Sequence, residues 1–368
     1  MKDKKSNQVY RWCLQYIDTQ RFSSNAKMPS ENAIKRLFGF SRETIRAAYD
    51  QLEAEGYIKR CKGSGTFINK TLPIPAPPGS SDARQKIGLI SQGRITSPSE
   101  PMIDGIQSVL SKQDVDLHVY VTDNKFFNER RLLETVRFQD YCGFIVDGVK
   151  SSFVSANIDY YRTLYQRKMP IIFYNNYYKE LAYPKVTVNN YKAAHFLTNE
   201  LIRAGHRSIL GLFVYDNVQS IEKFQGMLDI LYRHRISFTD DHVKWLSSDG
   251  AMSAARKRAI KQFLNTMPKA TAIVCCNYRI YTSLMNMLSE QHLRVPDDYS
   301  VVCFDYTNDD YEKTGTTCTL HRGYDLGVHI AQQITLMIQN HSVEQKQYSY
   351  SMSPALYVGT SVRNLNGS

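Results

Sequence analysis

No stretch of this chain approaches the roughly twenty consecutive apolar residues that a membrane-spanning helix needs. The basic start Met-Lys-Asp-Lys-Lys leads into no apolar signal segment. Membrane insertion and secretion are thereby set aside, and a cytoplasmic protein is expected. The seven cysteines form an odd set with no Cys-x-x-Cys pair, and most lie in apolar runs such as Ala-Ile-Val-Cys-Cys. There they act as small hydrophobes rather than as a disulfide framework or a zinc site. His-Glu-x-x-His, Gly-x-Ser-x-Gly and Walker-type phosphate motifs are missing, as is any solenoid-period repeat. The expectation is a chain that is not an enzyme and holds neither metal nor cofactor.

What is present is a chain of 368 residues, 42% hydrophobic and 12% aromatic, enough for two or three domains with substantial cores. Its formal charge of +11 is unevenly placed: residues 1–70 hold 14 Lys or Arg against 7 Asp or Glu. Positive charge concentrated in a small unit is what neutralising a polyanion requires, with a solvated basic surface as the plain alternative. The proline-rich stretch Thr71–Gln85 (TLPIPAPPGSSDARQ) can continue neither a helix nor a central strand. It reads as a linker over 71–85, joining a domain of residues 1–70 to one of 86–365.

Val9, Trp12, Cys13, Tyr16 and Ile17 follow the i, i+3, i+4, i+7, i+8 spacing of an amphipathic helix. Ser30 is placed to cap a second helix with Ala33, Ile34 and Leu37 on its buried stripe, and Gly39 to end it. Ser41 can cap a third, in which Ile45, Ala48, Tyr49 and Leu52 share one face. The first turn of that third helix then exposes Arg42, Glu43 and Thr44, with Arg46 one turn on. A helix entering the major groove N-terminus first presents these positions to base edges, and arginine can pair bidentately with guanine. Two β-rich runs around Lys62-Gly63-Ser64-Gly65 read as a hairpin wing with a basic tip suited to phosphate or the minor groove.

The run MPSENAIKRLFGFSRETIRAAYDQLEAEGYIKRCKGSGTFI closely resembles the GntR-type winged helix. Its Pro-Ser-Glu, Ser-Arg-x-Thr-x-Arg, Leu-Glu-x-x-Gly-x-Ile and Gly-x-Gly-Thr-Phe elements stand in family order. The resemblance implies contacts to double-stranded DNA from Glu31, Arg42, Glu43, Thr44, Arg46, Lys62, Gly63 and Ser64. Asn32 stands where many members have arginine and inherits no phosphate role.

Beyond the linker, apolar runs at Lys86–Ser91, Asp116–Val121, Gly143–Asp147, Pro170–Tyr174, Ser208–Phe213, Ala272–Cys276 and Ser300–Asp305 alternate with helical patterns. That alternation means βαβ units, an α/β class, and parallel sheet arranged as one wide sheet or two smaller ones. It excludes an all-helical sensor. A late helix at Tyr324–Asn340 followed by Ala355–Val358 points to a chain that crosses back between two lobes.

Ordered landmarks resemble the LacI/GalR sensor, a two-lobed parallel-sheet domain of the periplasmic-binding-protein type. They include Val188-Asn189-Asn190, Gly205-His206-Arg207, Ser220 to Gly226, Thr271 to Asn277 and Arg294 to Asp305. The lobes are then expected at 86–188 with 320–345, and at 189–319 with 346–365. The combined architecture, together with Asn128-Glu129-Arg130-Arg131, Asn157-Ile158-x-Tyr160-Tyr161 and Asn175-x-x-Tyr178-x-Glu180-Leu181, is similar to the arabinose-repressor group.

Ligands of such sheets bind beyond the carboxyl ends of strands, between the lobes. The resemblance implies effector contacts from Lys223, Asn277 and Asp305, with Tyr174 and Asn175 ending another strand at the cleft and Ser91 and Gln92 ending the first. Lys223 replaces the usual arginine, a point charge in place of a planar fork. For Asn277 and Asp305, plain capping of strand ends is the competing reading. His206 reads as a packed or capping residue rather than a metal ligand. The resulting expectation is a homodimeric repressor of carbohydrate-utilisation genes, bound to operator DNA and released by a small sugar such as L-arabinose or a related pentose. The alternative is a regulator, repressor or activator, that responds to a sugar phosphate or another metabolite, with an enzyme fused to a DNA-binding module as the lesser rival.

Overall fold

The computed structural model describes residues 5–20, 27–54, 57–61, 64–68, 85–93, 100–136, 140–248, 253–267, 269–307, 310–340 and 345–367. Contacts divide the chain into two compact units, one of residues 1–84 with 130–140 and one of 85–129 with 141–368. The linker expected over 71–85 lies, but for Gln85, outside the described residues.

The N-terminal fold runs α1 (Lys5–Gln20), α2 (Glu31–Phe38), α3 (Arg42–Ala54), β1 (Ile58–Cys61) and β2 (Gly65–Ile68). Val9, Cys13 and Ile17 of α1 share a core with Ile34, Ile45, Tyr49 and Leu52. The Ser30 hydroxyl accepts from the Ala33 amide at 3.2 Å. Gly39, at φ 66°, turns its own amide back to the Lys35 carbonyl, a left-handed stop that a residue without Cβ adopts at least cost. Tyr49 fixes α3 to the segment before α2 by donating to the Pro29 carbonyl at 2.6 Å. The hairpin pairs Ile58 with Ile68 and Cys61 with Gly65, and Lys27 adds an antiparallel bridge to Phe67. Leu37, expected on the buried stripe of α2, is 61% exposed. Phe38 turns inward instead and meets Trp12 edge-on at 5.7 Å, because one helical turn beyond Ile34 the position i+4 lies closer to the core than i+3.

The second unit begins β3 (Gln85–Ser91), α4 (Pro101–Leu110), β4 (Val115–Val121), α5 (Phe126–Thr135), β5 (Gly143–Val146), α6 (Ile158–Gln166), β6 (Ile171–Tyr174) and β7 (Lys185–Val188). It continues α7 (Asn190–Arg203), β8 (Ile209–Val214), α8 (Val218–Arg233), β9 (Val243–Leu246), α9 (Ser253–Thr266), β10 (Ala272–Cys275), α10 (Tyr278–Glu290), β11 (Ser300–Tyr306), α11 (Tyr311–Thr314) and β12 (Thr317–Leu320). It closes with α12 (Gly323–Gln339), α13 (Gln345–Tyr348), β13 (Tyr350–Met352) and β14 (Ala355–Tyr357). Among the described residues there are two six-stranded sheets, ordered β13-β7-β6-β5-β3-β4 and β14-β12-β11-β10-β8-β9. Every pair is parallel except β12 with β14. Strands of this kind are buried on both faces, which is why β5, β6, β8 and β10 are buried at every position.

The chain passes between the lobes after β7, after β12 and after β13. The last passage corrects the expected boundary at 346, since β13 still pairs with β7 in the first sheet and only β14 joins the second. The sequence reading also missed β7, β9, β12 and β13, whose short runs KVTV, VKWL, TCTL and YSM mix polar and apolar residues. Threonines 187, 317 and 319 are nonetheless buried in them.

In the first lobe α12 lies against α4 at glycine-to-backbone distance. A Cβ on Gly105 would stand 2.1 Å from the Tyr324 carbonyl oxygen, and one on Gly327 2.0 Å from that of Met102. Alanine at either position would force the helices apart. Among the described residues no helix is long and apolar enough to cross a membrane.

Candidate functional sites

On α3 the residues divide cleanly by face. Ile45, Ala48, Tyr49 and Leu52 are buried, while Arg42, Glu43 and Arg46 are exposed and Thr44 is half-exposed. The Ser41 hydroxyl accepts from the Thr44 amide at 3.3 Å and bonds the Thr44 hydroxyl at 2.8 Å. The start of α3 is thus capped while its basic side chains remain on the surface. Glu31 is engaged within the domain: Arg60 reaches Glu31 at 3.3 Å, Asp50 at 2.5 Å and Glu53 at 3.0 Å. Arg60, in β1, thereby ties that strand and the start of α2 to α3. Of the wing-tip residues, Ser64 is exposed; Lys62 and Gly63 lie outside the described residues.

In the second lobe the carboxyl ends of β10 and β11 converge with α8. Lys223 is only 2% exposed. Its ammonium bonds the Asp305 carboxylate and the Cys276 carbonyl at 3.2 Å. Asp305 ends β11 in the left-handed region at φ 49°, a conformation that aspartate tolerates better than most residues. Asn277 caps α10, accepting from the Ile280 amide at 2.9 Å, so its carbonyl oxygen has a structural task. The sequence-expected trio therefore stands together at the ends of β10 and β11. Tyr278 and Tyr306 pack edge-on beside it at 4.7 Å, and Tyr281 joins them at 5.4 Å from Tyr306.

The first-lobe candidates Ser91 and Tyr174 meet through a side-chain hydrogen bond, and the Gln92 backbone bonds Asp147 beside them. Ser91 donates to the Gly93 carbonyl at 3.2 Å, and Gln92 donates to the Gly148 carbonyl at 2.5 Å. Asn175 takes the turn after β6 at φ 50°. Tyr174 is 2% exposed and packs in the first-lobe core, with its hydroxyl bonded to the Ser91 side chain at the strand ends. The neighbour that sequence reasoning missed is Asn176, which donates to Asp147 at 2.9 Å and accepts from Ser151 at 3.0 Å. His206 is packed within the second lobe between the Thr271 hydroxyl at 2.8 Å and the Arg363 carbonyl at 3.1 Å. Among the described residues no group of His, Cys, Asp and Glu could hold a metal ion.

A buried carboxylate organises this lobe. Glu129 is fully buried and accepts from Asn157 at 2.8 Å, Tyr161 at 2.9 Å and Tyr178 at 2.8 Å. Burial pushes its pKa up against the opposing pull of those donors. The same Tyr178 hydroxyl lies 3.1 Å from the Val149 carbonyl, at the start of the loop that meets the other lobe. There Lys150 pairs with the fully buried Asp216 at 3.4 Å, the Ser151 hydroxyl accepts from the Val218 amide at 2.9 Å, and Asn124 donates to Ser248 at 2.6 Å. Tyr177 bridges separately to Glu222 at 2.5 Å. The lobes thus stand bridged by polar groups that a change of lobe angle would exchange for water.

Asp147, at the carboxyl end of β5, went unnoticed in the sequence. Burial raises its pKa to about 7, opposed by its hydrogen bonds from Asn176 and the Gln92 backbone. The folded chain therefore holds this proton more tightly than the unfolded chain does. Its contribution is fully present below the unfolded value near 4 and is lost as pH rises through 7. Urea unfolding from pH 5 to pH 8 is expected to show wild-type stability falling by on the order of 2 kcal/mol relative to Asp147→Asn. Parallel profiles for the two proteins would remove the assignment.

Comparison with known proteins agrees with both halves. Residues 5–68 match the family described as bacterial regulatory proteins, gntR family. Residues 84–344 match periplasmic binding proteins and sugar binding domain of LacI family. The arabinose metabolism transcriptional repressor of Geobacillus stearothermophilus is 28% identical over 94% of this chain and 95% of its own. That of Halalkalibacterium halodurans is 30% identical over 76% of this chain and 75% of its own. Among solved structures, the transcription regulator CcpA of Lactococcus lactis has the same fold, with a TM-score of 0.63 and 19% identity over 76% of this chain and all of its own. The transcriptional regulator CelR in complex with cellobiose matches 95% of this chain and 99% of its own, with a TM-score of 0.65 and 16% identity. The chain belongs to the LacI family of periplasmic-binding-type, sugar-binding proteins, carried here behind a GntR-family DNA-binding head.

Proposed function

We propose that this protein represses carbohydrate-utilisation genes by binding double-stranded operator DNA as a homodimer, and that a small sugar, with L-arabinose or a related pentose as first candidate, releases it. The observation that carries the reading is the Lys223–Asp305 pair, buried beside Asn277 at the strand ends of a lobe whose chain also bears an exposed arginine face on α3. An ammonium and a carboxylate side by side offer a donor and an acceptor to adjacent hydroxyls, and the half-buried Tyr278 next to Asn277 would supply an apolar face for sugar C–H groups. Glu31, Arg42, Glu43, Thr44, Arg46 and the wing would hold the duplex; Lys223, Asn277 and Asp305 would hold the sugar.

Release requires that sugar and operator prefer different arrangements of the protein, with a coupling of about 1–3 kcal/mol. A duplex recovered by selection from random sequence is titrated with the full chain, by fluorescence anisotropy, with and without L-arabinose, D-xylose, D-ribose and their phosphates. A free pentose is expected to weaken duplex affinity by about fivefold to 150-fold. Release by a phosphate ester alone would replace the free sugar as effector, and tighter duplex binding in the presence of sugar would overturn the repressor-release reading.

A further inference from the structure

The hairpin wing has a third chain segment along its edge. Lys27, in the segment before α2, stands opposite Phe67 as an antiparallel bridge, and the next amide, that of Met28, donates to the Thr66 carbonyl at 2.9 Å. Met28 is buried and Lys27 exposed, as the alternation of side chains across an extended segment requires. The residues expected to touch DNA lie on α2, on α3 and at the hairpin tip, and none comes from this segment.

The Lys27 side chain is ordered along the face it shares with Phe67 and Gly65. Its ammonium stands 5.5 Å from the centre of the Phe67 ring, within reach of the ring's negative face. A Cβ on Gly65 would stand 3.0 Å from the Lys27 Nζ and closer still to its Cε, so the glycine leaves the space that this stem fills. Gly65 also sits at φ 106°, a conformation that strains any residue with a Cβ. It pairs with Cys61 at the tip end of the hairpin and follows the exposed Ser64. The Lys27 ammonium therefore reaches the wing tip from outside the hairpin, and two members of the Gly-x-Gly-Thr-Phe element seat it there.

The charges on this face are of one sign. Lys59 is exposed and pairs with Phe67 from the other side, so one rung carries two lysines around one ring. The acid nearest to Lys27 in sequence, Glu31, is held by Arg60 at 3.3 Å. Like charges on one face of a small sheet repel, and a polyanion against that face relieves the repulsion. A side chain already ordered also loses less freedom when its partner arrives.

We propose that Lys27 is a further duplex contact, its ammonium held at the wing tip to neutralise a backbone phosphate. This contact rests on the reading of the head as a duplex binder and adds to it a group from outside the reading helix and the hairpin. A lysine in this role is a point charge, which contributes affinity and salt dependence but no base preference.

The test is anisotropy titration of the full chain with a selected duplex and a random one of equal length, at several salt concentrations. Lys27→Met keeps the stem and removes the charge. It is expected to make the slope of log affinity against log salt shallower by about 0.9, the loss of one phosphate contact. At 0.1 M salt that slope corresponds to a loss of roughly eightfold, equal for both duplexes. Lys27→Arg should return the slope to the wild-type value. A lysine that only packs against the hairpin would lower the melting temperature and leave the slope unmoved, and that result overturns the proposal. So does a loss confined to the selected duplex, which would make Lys27 a base reader. Lys27→Gln gives the same reading should methionine disturb the hairpin. A wild-type chain that binds neither duplex fails the DNA-binding reading and takes this contact with it, whereas wild-type binding with an unmoved slope in the variants fails this contact alone.

Discussion

Alanine at both Arg42 and Arg46 is expected to abolish the preference for a selected duplex over random DNA while sugar affinity stays at the wild-type value. Both side chains are exposed on α3, one turn apart, and the residues between and beyond them that face inward already form the core. Neither arginine is needed to hold the fold, so the variant should melt normally. Each bidentate arginine–guanine contact discriminates by about 1–3 kcal/mol, so the double variant should lose at least about thirtyfold in preference. Arg46→Lys separates the two ways an arginine can act. Lysine keeps the charge and the salt dependence but lacks the planar fork. If Arg46 reads a base, preference falls while random-duplex affinity persists; if it holds a phosphate, both change little. Anisotropy titrations at two salt concentrations distinguish these outcomes, and an unchanged preference in the double variant would remove α3 as the reading helix.

The DNA-binding head was legible because its determinants are local. Ser30, Gly39 and Ser41 punctuate helices through bonds to residues three or four positions away, and amphipathic spacing assigned most of the buried faces. Where the reading failed, it placed Leu37, three positions beyond Ile34, on the buried stripe in place of Phe38, four positions beyond it, which meets Trp12 of another helix. The same division holds in the large domain. Fully apolar strands announced themselves, whereas β7 and β12 bury threonines whose hydroxyls or backbones find partners far along the chain. Around residues 129, 157 and 178 the sequence carries three separate short motifs. Nothing in their spacing said that Asn157, Tyr161 and Tyr178 would donate to one carboxylate, across separations of 28, 32 and 49 residues. Asp147 was invisible for a related reason. Its raised proton affinity comes from burial, which a strand-end aspartate does not advertise.

Lys223 carries the other large effect. Lys223→Met alone removes the ammonium from a carboxylate that is itself only 22% exposed at the side chain. Breaking a buried ion pair from one side typically costs about 3–5 kcal/mol, because the remaining charge has lost its counterion but not its desolvation penalty. Asp305, bound also through its backbone amide to Thr319 at 3.1 Å, cannot swing into water without disturbing the end of β11. The double variant Lys223→Met, Asp305→Leu removes both charges and should recover most of that stability, since apolar replacement of a whole pair is often neutral. Sugar binding at the strand ends should not recover, because neither donor nor acceptor is left. A pair serving only to staple α8 to β11 would behave otherwise: the double variant would regain stability and bind sugar as tightly as wild type. Chemical denaturation of the three variants, set beside their sugar titrations, therefore separates a recognition pair from a structural one. The expected pattern is stability that returns while affinity does not.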